Sequence, residues 1–409
     1  MTDAKSAGRG GLTVFLCVLV ALCEGIDLQA AGLAAAGIKA AYAPDAQTLG
    51  TFFSASTFGL FFGALLGGPL SDRIGRKGVL VVSVALFGVF SILTAFAGSM
   101  EQLTWARVFT GLGLGGALPN LIALVSESSP DDRRSANVAF AYAGTPFGGA
   151  LISLFNFSVT PAQWHQIFII GGVVPLFVAP LLALYLQESA EFSGARAAAA
   201  RGAIAGNAAT TEGKLAALFG GAQWLRTLLL WISFFLGLLT LYLLLNWLPT
   251  LLIDGGLTGA QSTLAQVAFN LGGAVAAFLI GRLLEGPYRR PAVILAFAAV
   301  PVLIYALAAN GLGVAAIVSV VFVLGIAVLS AQAVLYAIAP GFYPTLARGL
   351  GVGLAVAIGR TGSIVGPKYG GYLKAQGLNT SQLLHQLLPF VIAGSIAAIL
   401  LILLRSSKR

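Results

Sequence analysis

Four ionisable side chains stand inside otherwise apolar stretches of this 409-residue sequence: Glu24 and Asp27 in LVALCEGIDLQAAGL (19–33), Arg107, and Arg360. Glu24 and Asp27 are three residues apart, which puts them on one face of a helix. Burial and mutual repulsion both disfavour the doubly charged pair. Its natural chemistry is therefore the uptake and release of a proton, and any titration belongs to the pair rather than to one member. Arg107 carries the opposite charge. It can pair reversibly with Asp27 and be released when Asp27 is protonated, or it can form a permanent ion pair that pins two helices. Arg360 has no acidic neighbour in sequence. Its planar fork suits a carboxylate, whether that of a bound anion or that of Asp27 or Glu24 across a cavity.

The elements that must position these charges follow from composition. The chain is 58% hydrophobic and 9% charged, against about 45–50% and about 25% for soluble domains. So much apolar surface needs lipid as its solvent. Apolar stretches of about 20 residues recur from end to end, and helices satisfy their own backbone in hydrocarbon, whereas the alternating pattern of a membrane barrel is absent. The expected fold is all-α, with twelve spans near 12–36, 48–70, 78–98, 101–127, 135–157, 164–187, 224–252, 260–284, 291–309, 312–339, 346–373 and 381–404. The first stretch runs past 20 residues without a convincing cleavage site and reads as a retained span. Cys17 and Cys23, six apart within it, suit neither a disulfide nor a metal site. An ion at membrane depth costs on the order of 2.5–3.5 kcal/mol on insertion scales, so the four buried charges mark a pathway.

Residues 1–187 and 224–409 form two six-helix halves, joined by an Ala/Gly/Ser/Thr-rich linker over 188–223. The halves repeat. GPLSDRIGRK (68–77) aligns without a gap on GRLLEGPYRR (281–290), and Pro130 and Arg134 match Pro344 and Arg348. Placing the N-terminus inside puts 18 of the 23 Lys and Arg residues on cytoplasmic segments, so both termini are expected in the cytoplasm. That bias accounts for the net charge of +9 and leaves no need for a nucleic-acid partner. Two duplicated six-helix halves suit a transporter.

GPLSDRIGRKGVL (68–80) resembles the loop signature of the major facilitator superfamily, RVFTGLGLGG (107–116) its span-four signature, and LQESAEF (186–192) its span-six ending, with Gln187 where Pro is usual. EGID (24–27) resembles the Asp-Gly-x-Asp signature of the aromatic acid–proton symporters, with Glu24 where Asp is usual. NWLPTLL (246–252), QAVLYAIAPGFYP (332–344) and ARGLGVGLAVAIGRTGSIVGP (347–367) extend the likeness over nearly the whole chain. Together with LGGALPNLIAL, these stretches look most like the branch that imports 3-(3-hydroxyphenyl)propionate.

The resemblance implies a proton-coupled importer of a small aromatic carboxylate, working by alternating access in the bacterial inner membrane, with Glu24, Asp27 and Arg107 coupling the proton. It implies an anion-binding role for Arg360. Tyr242, Asn246, Gln332, Tyr336, Asn120 and Tyr142 lie on spans that line cavities in this superfamily and supply rings and hydrogen bonds. Gln332 and Tyr336 rank highest, since they fall in a matched motif. Gly68, Asp72, Arg73, Gly75, Arg76, Glu127 and Arg134 are implied as a latch. There Asp72 is suited to capping a helix N-terminus while Arg73 and Arg76 pair with acids such as Glu127.

The alternatives are a proton-driven efflux antiporter of organic anions or drugs and, from a different class, a non-transporting membrane sensor. Thr145 interrupts the Gly-Pro pair typical of antiporters, which argues against efflux, and the short tails and loops argue against a sensor's output domain. GLGLGG (111–116) follows no strand and reads as helix packing rather than a phosphate loop. Gly59, Gly63 and Gly67, four apart, read likewise. No nucleophile–base pair or metal-ligand cluster stands out. An enzyme, a cofactor and a metal are not expected, and the chain is read as a monomer whose partners are the substrate, protons and the bilayer.

Overall fold

The computed structural model describes residues 2–130, 133–189, 192, 218–221, 223–285, 289–309, 311–344 and 347–405. Among these the chain is helical, with twelve long helices: α1 (Thr2–Tyr42), α2 (Ala46–Ile74), α3 (Arg76–Ala95), α4 (Met100–Ser128), α5 (Arg134–Phe155), α6 (His165–Tyr185), α7 (Gln223–Asp254), α8 (Gly259–Glu285), α9 (Arg289–Ala308), α10 (Val314–Ile338), α11 (Arg348–Ala375) and α12 (Thr380–Arg405). All twelve are long and apolar enough to cross a membrane. The first span ends later than 36, because the alanine-rich run to Tyr42 continues the helix and places Lys39 in its last turn. Pro44 then stops it, and Asp45 caps α2 by accepting the Thr48 N–H at 2.6 Å. This bond holds the Asp45 carboxyl below the usual carboxylate range.

Contacts divide the chain into two compact units, Met1–Ile204 and Ala205–Arg409. In the first, α1 packs on α5, α2 on α4 and α3 on α6. In the second, α7 packs on α11, α8 on α10 and α9 on α12. The order of pairing is therefore the same in both, as a duplication would leave it. Most of the 188–223 segment lies outside the described residues. Its first residues, Glu188 and Ser189, belong structurally to the first unit.

Hydrocarbon gives helices no hydrophobic reason to associate, so close backbone approach must do it. Glycines supply that approach. A Cβ at Gly59 would sit 1.8 Å from the Val108 carbonyl oxygen, one at Gly63 2.1 Å from that of Leu112, and one at Gly111 1.8 Å from that of Ser56. GLGLGG is thus one half of the α2–α4 interface. In the second unit Gly362 and Gly366 stand in the same relation to the Phe235 and Leu239 carbonyls of α7, at 2.1 and 2.3 Å. Cys17 and Cys23 are free thiols facing neighbouring helices rather than lipid. Gly59→Leu is expected to prevent the first unit from folding, read as loss of the monodisperse peak in fluorescence-detected size-exclusion chromatography.

Candidate functional site

In the first unit the EGID stretch is set by its glycine. A Cβ at Gly25 would lie 1.8 Å from the Thr145 carbonyl oxygen, so α1 presses on α5 at this point. Glycines return the contact from AGTPFGG, where a Cβ at Gly148 would meet the Leu22 carbonyl at 2.0 Å. With α1 fixed, Asp27 points at α4. Arg107 donates from one terminal nitrogen to Asp27 Oδ1 at 2.6 Å and from the other to Oδ2 at 2.8 Å and to the Asp27 carbonyl at 3.2 Å. Asp27 is fully buried and Arg107 is 1% exposed. The Phe168 ring of α6 lies 5.6 Å from the guanidinium carbon, over which its π face attracts the cation. Three helices thus converge on one charge pair. Glu24, a turn away, is also buried. Asn120 is buried in α4 and donates to the Gly116 carbonyl, while Tyr142 is half-buried on α5.

The second unit carries Arg360. It is half-buried on α11 and donates to the Tyr242 hydroxyl of α7 at 3.1 Å. Asn246, one turn on, donates to the Tyr242 carbonyl. The two helices are stapled along their length. Trp247 donates its indole N–H to the Pro367 carbonyl at 2.8 Å, and Lys374 pairs with Asp254 at 2.8 Å. Arg360 and Tyr242 are therefore held as one piece. Gln332 and Tyr336 take other positions. Tyr336 packs its ring edge-on against Phe234, 5.1 Å between centroids, and Gln332 lines a small cavity between α7, α9, α10 and α12. Sequence reading passed over Gln266 and Asn270, buried amides one helical turn apart on α8; a polar pair at i, i+4 in an apolar span was the available signal.

The loop between α2 and α3 differs in part from expectation. Arg76 pairs with Glu127 of α4, whose other oxygen accepts the Ser189 hydroxyl. The cap on α3 is Glu188, not Asp72. Glu188 Oε1 accepts the Arg76, Lys77 and Ser189 N–H groups at 2.9, 3.2 and 2.8 Å, while Asp72 and Arg73 are exposed at the end of α2. Asp72 precedes the turn and sits on α2 itself, out of line with the orphan amides of α3. Gly75 has φ 90°, and a Cβ there would lie 2.0 Å from Glu188 Oε2, so both the turn and the carboxylate exclude a side chain. Gly68 lies in open space on α2, and Arg134 closes the α4–α5 turn by donating to the Ser126 carbonyl at 3.0 Å. Gln187, the departure from the usual Pro, is exposed and carries none of these bonds. Glu188→Gln weakens three charge-assisted bonds, two of them at the N-terminus of α3, and should cost about 1–2 kcal/mol. Thermal unfolding is expected to fall by roughly 2–6 °C, and an unchanged midpoint would show that the cap is idle.

Twelve membrane-spanning helices in two equivalent six-helix units, one holding a buried ion pair and the other a half-buried arginine, define a multi-pass membrane protein of the secondary-transporter class. Sequence comparison narrows the class. The family model of the Major Facilitator Superfamily matches residues 17–367. The chain is 41% identical over 409 residues to the 3-(3-hydroxy-phenyl)propionate transporter of Escherichia coli K12, covering 99% of this chain and 97% of that protein. It is 35% identical to a 4-hydroxybenzoate transporter of Pseudomonas putida, over 92% of this chain and 88% of that one. The fold matches the crystal structure of a D-xylose–proton symporter with a TM-score of 0.76 at 18% identity, over 95% and 96% of the two chains. The protein belongs to the major facilitator superfamily.

Proposed function

We propose that the protein is a proton-coupled importer of a small aromatic carboxylate, 3-(3-hydroxyphenyl)propionate or a related hydroxylated acid, working by alternating access. The observation that carries the coupling is the dry, bidentate Asp27–Arg107 pair. Protonating Asp27 removes the charge that holds Arg107, so occupancy by a proton and the packing of α1, α4 and α6 are linked. Glu24 is the second carboxyl of the coupling group. Arg360, preset by Tyr242, is the anchor for the substrate carboxylate, and Asn246, Tyr336, Asn120 and Tyr142 are candidate contacts for the ring and its hydroxyl. The latch comprises Arg76, Glu127, Glu188 and Gly75, with Gly68, Asp72, Arg73 and Arg134 around it.

The reading places both termini in the cytoplasm of a bacterial inner membrane and takes the monomer as the working unit. Relatives that are transporters of ring-bearing acids support this substrate class over general efflux. The test is uptake of labelled 3-(3-hydroxyphenyl)propionate, beside 4-hydroxybenzoate and benzoate, into proteoliposomes with and without an inward proton gradient. Gradient-dependent accumulation of at least one is expected. Uptake of none would move the assignment to efflux or another anion.

A further inference from the structure

The second unit holds a half-open cavity of about 30 Å³ where α7, α9, α10 and α12 meet. Its polar wall comes from Ser233 and Thr240 of α7, Gln332 of α10 and Ser395 of α12, all buried. Three of these groups have already committed their protons. Ser233 donates to the Leu229 carbonyl at 2.7 Å, Thr240 to that of Leu236 at 2.8 Å and Ser395 to that of Phe297 at 2.9 Å. What they offer inward is lone pairs. Gln332 is 3% exposed, and its Oε1 is buried without a hydrogen-bond partner. Its Nε2 lies against Gly237, where a Cβ would stand only 2.4 Å away. The amide is thereby held in the cavity by the absence of a side chain on α7.

A buried amide oxygen in a membrane protein needs a donor, and a wall of acceptors selects a ligand with two protons to give. The volume admits about two water molecules, and the four polar side chains of the wall suffice for the minimum of two partners that each buried water requires. We propose that this cavity is a standing hydration site, in which water bridges Gln332 to the hydroxyls of α7 and α12. It follows that Gln332 is a packing residue of the second unit rather than a substrate ligand. The geometry of α7 agrees. Ser233, Leu236, Gly237 and Thr240 follow i, i+3, i+4, i+7 spacing and form one face, whereas Tyr242 points from another face to Arg360 on α11.

X-ray radiolytic footprinting read by mass spectrometry tests the proposal on the full chain in lipid nanodiscs, because radicals born from bound water modify the side chains beside it. Phe297, buried in the cavity wall, should be modified at least fivefold more than Phe269, which is also buried but lies on α8 away from the cavity. Gln332→Leu should reduce that modification to the Phe269 level while changing the KM for aromatic acid uptake less than twofold. Wild-type labelling of Phe297 no higher than that of Phe269 would mean a dry cavity and would overturn the proposal, whatever the variant does. A KM raised tenfold or more in Gln332→Leu would also overturn it, by returning Gln332 to the substrate. The labelling arm does not depend on what the protein transports, so it stands apart from the outcome of the uptake assay.

Discussion

Asp27→Asn is expected to abolish gradient-driven accumulation while leaving exchange of substrate across the membrane intact to within a few-fold. Asparagine is close in shape and keeps an oxygen for Arg107, but it cannot take up a proton at the pH of the assay. One pH unit is worth 1.36 kcal/mol, so import of a monoanion with one proton sustains about a tenfold concentration ratio across such a gradient. The variant should hold the two sides equal. It should also fold less well, because Arg107 is left buried beside a neutral partner, and breaking a buried pair in this way costs about 3–5 kcal/mol. The double variant Asp27→Asn/Arg107→Gln separates the two effects. It removes the stranded charge and should recover folded yield and thermal stability, yet it should remain uncoupled. Proteoliposome uptake against an imposed pH gradient, alongside counterflow with preloaded substrate, gives both readings. If Asp27→Asn accumulates substrate to the wild-type ratio, the proton is carried elsewhere, and Glu24 is the next residue to change.

Arg360→Ala is expected to weaken substrate binding with little loss of folded protein. Arg360 is only half-buried, and α7 and α11 remain joined by Trp247 and the Lys374–Asp254 pair. A hydrogen bond to a charged group contributes about 1.5–3 kcal/mol, which corresponds to roughly 10–150-fold in affinity. Tyr242→Phe leaves the guanidinium in place but frees its orientation. A net hydrogen bond of about 1 kcal/mol sets its effect near fivefold. Arg360→Lys should fall between wild type and alanine, since a lysine keeps the charge but loses the planar fork. Equilibrium binding of the aromatic acid to purified protein, and the KM for uptake, are the measurements. Wild-type affinity in Arg360→Ala would remove the arginine from the substrate site.

Much of the fold can be read directly from residue types. Twelve spans follow from hydropathy because the bilayer admits only one economical way to satisfy a spanning backbone. The duplication is visible in the paired loops at 68–77 and 281–290, and the structure adds that the helices of each unit pair in the same order. The Asp27–Arg107 pair was legible for a simple reason. Few charges lie within the spans, so a carboxylate on one helix has few possible partners. The α3 cap was not legible. Asp72 lies three residues before the turn and Glu188 more than a hundred residues after it, and only the return of the chain past α6 brings Glu188 to the amides of α3.

Gln332 shows the same division at the level of one side chain. Its type and its motif mark it as polar and buried, and both properties hold. Whether it faces Arg360 or the interior depends on the rotation of α10 about its own axis. That rotation is set by close approaches such as that at Gly325, where a Cβ would lie 2.1 Å from the Phe269 carbonyl oxygen, together with the room left at Gly237. Sequence thus determined the solvent this chain lives in, the number of its helices and the charges it could not hide. The tertiary structure decided which helix face meets which, because in hydrocarbon that choice rests on short-range packing between residues far apart in the chain, and periodicity does not encode it.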